Sequence, residues 1–284
     1  MKKTPTGFFR KAALSATSTL LMATQVFGAE FRFDDGVNLD SGNWWEEYPV
    51  AFPLTMDGTI ERGDLERLLE AASNATHEDT RWNISLNSLG GDVIEAIRIG
   101  GFLRTGHFEA SVGMKAESAI NDKCASACFL VWVGAVERSA RPMSVGIHRP
   151  HYDETVFGSF SVQEASSAYR NLDALVRSYL QDMGVATYWI DIMFSIPSDE
   201  VYWLSGDEIA LLSGPTPYFS EWLKARCPER LSHEERLDFQ AKSGSEAYQN
   251  YLSKRHSEHH DCVKEALYEA RQEARSAIDQ VKSK

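Results

Sequence analysis

Cys124-Ala125-Ser126-Ala127-Cys128 opens the apolar run Phe129-Leu130-Val131-Trp132-Val133, and Gly146-Ile147-His148-Arg149-Pro150 follows with His148 22 residues after Ser126. A serine among small residues thus begins a buried segment, and a lone histidine closes a later one. Upstream stands Asn87-Ser88-Leu89-Gly90-Gly91, a turn that glycine makes easily and other residues do not. A nucleophile, a base and a glycine turn able to present backbone N–H groups are the parts of a serine acyl hydrolase.

The flanking periodicities say what carries these parts. Trp82 to Leu86 alternates as a strand running into the glycine turn, and Val93, Ala96, Ile97, Gly100 and Gly101 give the narrow face of a closely packed helix. Ala110 to Met114 reads as a strand, Ala125 to Val133 as a helix starting at or near Ser126, and Val136–Arg138 and Ser144–Ile147 as short strands. Before them, Met56–Ile60 predicts a strand, and Leu65, Leu68, Leu69 and Ala72 a helix with Asp64 and Glu66 at its acidic start. The repeated strand, turn and helix predict an α/β domain with largely parallel strands and right-handed crossovers.

Further on, Val162, Ala165, Tyr169, Leu172, Val176, Tyr179 and Met183 step by three and four along a helix of about 22 residues. It reads as an intramolecular packing face, with a homo-oligomer contact through 162–183 as the alternative. Tyr202-Trp203-Leu204-Ser205 ends a strand, and Asp207 to Leu212 is a short helix stopped by Gly214-Pro215. From Tyr218 the strand signals cease, and Val263, Leu267, Ala270, Ala274 and Ala277 draw a thin apolar stripe on a long polar helix. Residues 216–284 are therefore expected to be a helical extension docked on the core, and Asn43 to Tyr48 an aromatic lead-in.

Lys2, Lys3, Arg10 and Lys11 precede a moderately apolar stretch, Ala12 to Val26, too short for a comfortable membrane span. Val26-Phe27-Gly28 predicts signal-peptide cleavage after Gly28, with Ala29 as the alternative, and no later segment predicts a span. Loss of four basic residues takes the net charge from −12 to −16. That argues against nucleic acid or an anionic membrane as partner, since both demand a positive face. Four cysteines in an exported chain allow three pairings, of which the economical one joins Cys124 to Cys128 and Cys227 to Cys262; free buried thiols are the alternative.

At a helix start, Ser126 has orphan N–H groups and a partial positive charge beside it, although an N-cap serine needs no chemistry. His148 falls at the carboxyl end of a strand, where α/β proteins place their reactive groups. His256 and His260 share a helix face at the spacing of a zinc site, but polar helices collect histidines and a disulfide at Cys262 would remove a thiolate. Neither metal nor cofactor is expected.

Together these residues resemble the Clp protease proteolytic-subunit family, within the wider Clp protease/crotonase fold. Its pattern is a strand, Asn-Ser-Pro-Gly-Gly, a helix, Cys-Ala-Ser before the nucleophile helix, and Ile-His-Gln-Pro around the base. Asn87-Ser88-Leu89-Gly90-Gly91, Cys124-Ala125-Ser126 and Ile147-His148-Arg149-Pro150 match it in order, over roughly residues 52–214. The resemblance implies a spiral of strand-turn-helix units, Ser126 as nucleophile, His148 as general base, and Gly90 and Ala127 as N–H donors to the oxyanion. It also sets helix 162–183 in the place of the family's oligomerising helix. Leu89 departs from the motif proline, and Arg149 from glutamine; a cation beside the base should lower its pKa. Val201 stands where the family has its acid, so Asp199 is favoured for that role, then Glu200, then Asp191.

The resulting division is a signal peptide over 1–28, a Clp protease-like domain over 29–215 and a helical extension over 216–284. The function expected is that of a periplasmic or secreted serine hydrolase, a peptidase acting on peptide or protein substrates. The alternative is a catalytically inactive relative that binds a partner in the envelope. Acyl-CoA chemistry on the related fold is set aside, because CoA thioesters are intracellular.

Overall fold

A computed structural model describes residues 28–33, 53–73, 82–114, 120–152, 154–227 and 246–283. The basic leader up to residue 27 and the lead-in at Asn43 to Tyr48 lie outside the described residues.

Among the described residues the strands are β1 (Glu30–Phe33), β2 (Pro53–Asp57), β3 (Asn83–Asn87), β4 (Glu109–Val112), β5 (Cys124–Ala125), β6 (Glu137–Ala140), β7 (Val145–Ile147), β8 (Tyr202–Trp203) and β9 (Gly214–Pro215). They interleave with α1 (Asp64–Ser73), α2 (Val93–Thr105), α3 (Ala127–Gly134), α4 (Glu154–Phe157), α5 (Val162–Asp182), α6 (Thr187–Ser195) and α7 (Gly206–Leu212). Three helices follow: α8 (Pro217–Arg226), α9 (Glu246–Ala270) and α10 (Gln272–Lys282). The chain is thus mixed α/β with a helical C-terminal region.

One sheet runs β1-β2-β3-β4-β6-β9, in which β2, β3, β4 and β6 are parallel and β1 and β9 are antiparallel edges. A second sheet, β5-β7-β8, joins it through a parallel bridge between Ser88 and Cys124. The expected parallel core is present. The strand expected at Met56–Ile60 sits a few residues earlier, because Gly58, at φ 109°, turns the chain out of β2.

Helix α3 is buried along its whole length and wedges against α2. Gly100 and Gly134 make this approach possible: a Cβ on Gly134 would fall 2.5 Å from Gly100 Cα. Gly101, expected to share that role, faces open space. Tyr179 from α5 sends its hydroxyl over Gly100 to donate to Leu130 O at 2.8 Å. The buried residues of α5, Leu172, Val176, Tyr179 and Leu180, lie in its C-terminal half; in the other half Tyr169 stacks on Phe157 at 5.1 Å, and Val162 is 89% exposed.

The C-terminal helices dock by three devices. Ala274 and Ile278 of α10 enter the main core, and Leu267 of α9 packs with Phe219 and Val136 in a smaller cluster. Between the two helices, buried Arg271 donates to Gly106 O at 2.8 Å and His107 O at 3.1 Å and lies over the Trp82 ring. The Cys227–Cys262 disulfide then ties α8 to α9, with Cα atoms 5.7 Å apart. Among the described residues, no helix is long and apolar enough to cross a membrane.

Candidate active site

Strand β5 is only two residues long, yet it is held on both sides. Cys124 N donates to Ser144 O at 2.8 Å, Ala125 N to Ser88 O at 3.0 Å, and Ser126 N to Gly146 O at 3.1 Å. At Ser126 the backbone turns to φ 57°, ψ −124°, a region that L-residues enter at a cost of the order of 1–3 kcal/mol. The turn sends the chain directly into α3 and leaves the half-buried Ser126 side chain at its apex, with no capping hydrogen bond. The expectation of a helix starting at Ser126 is thereby refined. Cys124 and Ala125 are strand, Ser126 is the corner and Ala127 begins the helix, whose first N–H groups have no intrahelical acceptor.

The Cys124–Cys128 disulfide straddles that corner, with Cα atoms 5.2 Å apart and both side chains fully buried. The two bridges are those of the economical pairing. The described chain contains no free cysteine.

The glycine turn lies against the same corner. Asn87 accepts from Lys123 N and donates to Asp57 Oδ2, each at 3.1 Å, which stitches the end of β3 to both neighbours. Gly90, at φ 114°, has no room for a side chain: a Cβ there would lie 2.7 Å from Ser126 Cβ and 3.1 Å from Ala127 N. Its own N–H, expected to serve an oxyanion, donates instead to Ser88 Oγ at 3.2 Å. Gly91 bridges Ile60 in parallel, through Ile60 N to Gly90 O and Asp92 N to Ile60 O. In such a bridge the N–H of the bridged residue faces away from its partner, here toward the β5 side. The Gly91 N–H has no partner among the described residues.

His148 follows β7, which pairs in parallel with β5, so Ser126 and His148 leave the carboxyl ends of adjacent strands. The ring is buried, and Nδ1 lies 2.9 Å from Arg149 O. A carbonyl only accepts, so Nδ1 carries the proton and Nε2 of the neutral ring is left as the basic nitrogen. Burial first, and then neighbouring His151, hold the pKa of His148 below its ordinary 6.5, against the opposing pull of the Arg149 carbonyl. The direction is the expected one but the cause differs: exposed Arg149 acts through its backbone oxygen, not its charge.

The acid side is open. Strand β8 pairs antiparallel with β7, Ile147 opposite Tyr202, which sets His148 opposite Val201 with Glu200 and Asp199 just beyond. Asp199 and Glu200 are exposed in the turn after α6. Asp191 is paired with Arg177 at 2.9 Å. Among the described residues, His148 makes no hydrogen bond or ion pair to any carboxylate and none to Ser126. Sequence reasoning missed three features: the Ser88 hydroxyl, the Gly91 N–H and the Arg149 carbonyl. Only the glycine pair carried a signal for any of them. Among the described residues, no group of three or more His, Cys, Asp or Glu gathers as a metal site; the His256 side chain lies outside them.

No family model and no curated protein matches the chain. Among solved structures it is similar to a point mutant of ClpP1 from Listeria monocytogenes, at 19% identity and TM-score 0.40, covering 57% of this chain and 86% of that one. It is also similar to a point mutant of the 1510-N membrane-bound stomatin-specific protease, at 17% identity and TM-score 0.40, covering 63% and 86%.

Proposed function

We propose that the protein is an exported serine hydrolase of peptidase type, acting through Ser126 and His148. The observation that carries this reading is the Ser126 corner. A non-glycine residue at φ 57° between strand and helix, its hydroxyl making no capping bond and the N-terminus of a buried helix beside it, is the geometry of a presented nucleophile. In the proposed reaction His148 Nε2 takes the Ser126 proton as Oγ bonds to the substrate carbonyl carbon. The oxyanion is held by the N–H of Ala127 and of Gly91, the latter chosen over Gly90 because Ser88 already occupies the Gly90 N–H. The leaving amine takes the proton from His148 and departs. Water, deprotonated by the same nitrogen, then releases the acyl group from Ser126. The Arg149 carbonyl does the orienting that a carboxylate does in a triad, so Asp199 is not required as the acid.

Export is supported by the basic, then apolar, leader and by two disulfides, which persist in oxidising compartments. A fluorophosphonate probe tests the reading: it should label the wild type, and neither Ser126→Ala nor His148→Ala. Equal labelling of wild type and Ser126→Ala, or of neither, removes it. One observation favours a second reading, a catalytically inactive relative that binds a partner in the envelope: Ser126 and His148 share no hydrogen bond. That outcome would appear as an unlabelled wild type, although such bonds are often long before substrate binds.

A further inference from the structure

Ala29, immediately before β1, is 1% exposed, and its backbone nitrogen lies 3.2 Å from Asp64 Oδ2. Asp64 opens α1, and its side chain is wholly enclosed. The same oxygen accepts from Glu61 N at 2.7 Å, and the other accepts from Arg67 through Nε at 2.7 Å and through a terminal nitrogen. Arg67 is 44% exposed, so the cation that balances this buried carboxylate stands half in water. Position 28 is tight as well: a Cβ there would run into Arg67 and lie 2.7 Å from Asp64 Oδ1. A buried carboxylate with a half-solvated counter-ion on one side and a chain nitrogen on the other is a seat for a second cation.

We infer that hydrolysis of the Gly28–Ala29 bond is a maturation step with a structural product, an Ala29 α-ammonium docked on Asp64. It rests on the export reading above. Water adds across the peptide bond, leaving a carboxylate on Gly28 and an ammonium on Ala29; the agent is an endopeptidase that acts on the exported chain. It acts before folding, because Ala29 is afterwards buried. Cleavage replaces one neutral N–H donor by a charged group with three, facing a carboxylate whose lone pairs can take it.

Intact mass and N-terminal sequencing of the chain recovered from an exporting host should find Ala29 first. A chain cut elsewhere overturns the site, and one recovered uncut removes the export reading and the maturation step with it. Docking is tested separately, on chains released from a cleavable fusion to begin at Ala29, at Gly28, or at N-acetylated Ala29. The free Ala29 chain should melt several degrees above the other two, with Asp64→Asn abolishing the difference. Its α-amine should acylate about tenfold slower folded than unfolded, the equivalent of one pKa unit. Free and acetylated Ala29 chains that melt together overturn the docking, whether or not Asp64→Asn folds.

Discussion

The two sides of the Ser126–His148 site are built differently. The Ser126 corner is constrained from every direction: ladder bonds to Ser88 and Gly146, Gly90 against its Cβ, a helix buried behind it and a disulfide across it. The other side, from Ile196 to Val201, is a turn half-buried at Ile196 to Ser198 and exposed from Asp199, with a backbone bond to the His148 segment, Arg149 N to Ile196 O at 3.1 Å. An uncommon backbone conformation survives only where its surroundings over-determine it, so the strained corner marks where the fold concentrates its constraints. On the other side, a neighbouring carbonyl can orient the imidazole with no side chain at all.

Substitutions can break this contrast. Losing Ser126 or His148 should cost the most, on the order of 10⁴-fold or more in hydrolysis rate, with the fold intact by circular dichroism. Gly90→Ala should follow, at about 100-fold, because its methyl would press on Ser126 Cβ and close the space before Ala127 N. A near-normal rate for Gly90→Ala would mean that the corner is softer than described.

The disulfides separate function from stability. Replacing Cys124 and Cys128 by serine should lower the turnover rate about tenfold by freeing the corner, while their four-residue separation closes the smaller loop, of about 2 kcal/mol. Replacing Cys227 and Cys262 opens a separation of 35 residues and should cost about 3–4 kcal/mol of stability with the rate unchanged. The opposite pattern would move the constraint away from Ser126.

Asp199→Asn sharpens the other half: activity should stay within about threefold, whereas loss of a triad acid costs about 10⁴-fold. The smallest effect is on pH. With the pKa of His148 held down by burial, the acid limb of the rate profile should lie below 6.5, the base remaining neutral to lower pH. Burial, then Arg271, also lowers the pKa of His107. Both histidines are therefore harder to protonate in the fold than in the unfolded chain. Their stabilisation is complete above about 6.5 and is lost as pH falls through that value toward the folded ones, which acid denaturation would register.

Much of the framework was legible because its signals are local. Alternation marked β3 and the strand ending at His148, glycines marked the turn at 90 and 91, and helical spacing marked α1, α2 and α5. Cysteine spacing singled out the pairing that is present. Helix α6 was not read, since Thr187 to Ser195 is short and its apolar residues have no strong period. On the C-terminal stripe, Leu267 and Ala274 are buried and Ala277 packs partly buried against the core, while Ile278, which the stripe did not include, is buried as well.

Residue type and spacing alone determined the cast around Ser126: a serine between two cysteines at a helix start, a histidine after a strand, two glycines upstream. Tertiary structure decided how they are arranged. Whether Gly90 or Gly91 has a free N–H, whether His148 leans on a carboxylate or a carbonyl, and whether Ala29 meets Asp64 depend on backbone direction and on contacts between segments distant in the chain. Backbone donors and acceptors are the same at nearly every residue, so their assignment leaves no mark in the sequence.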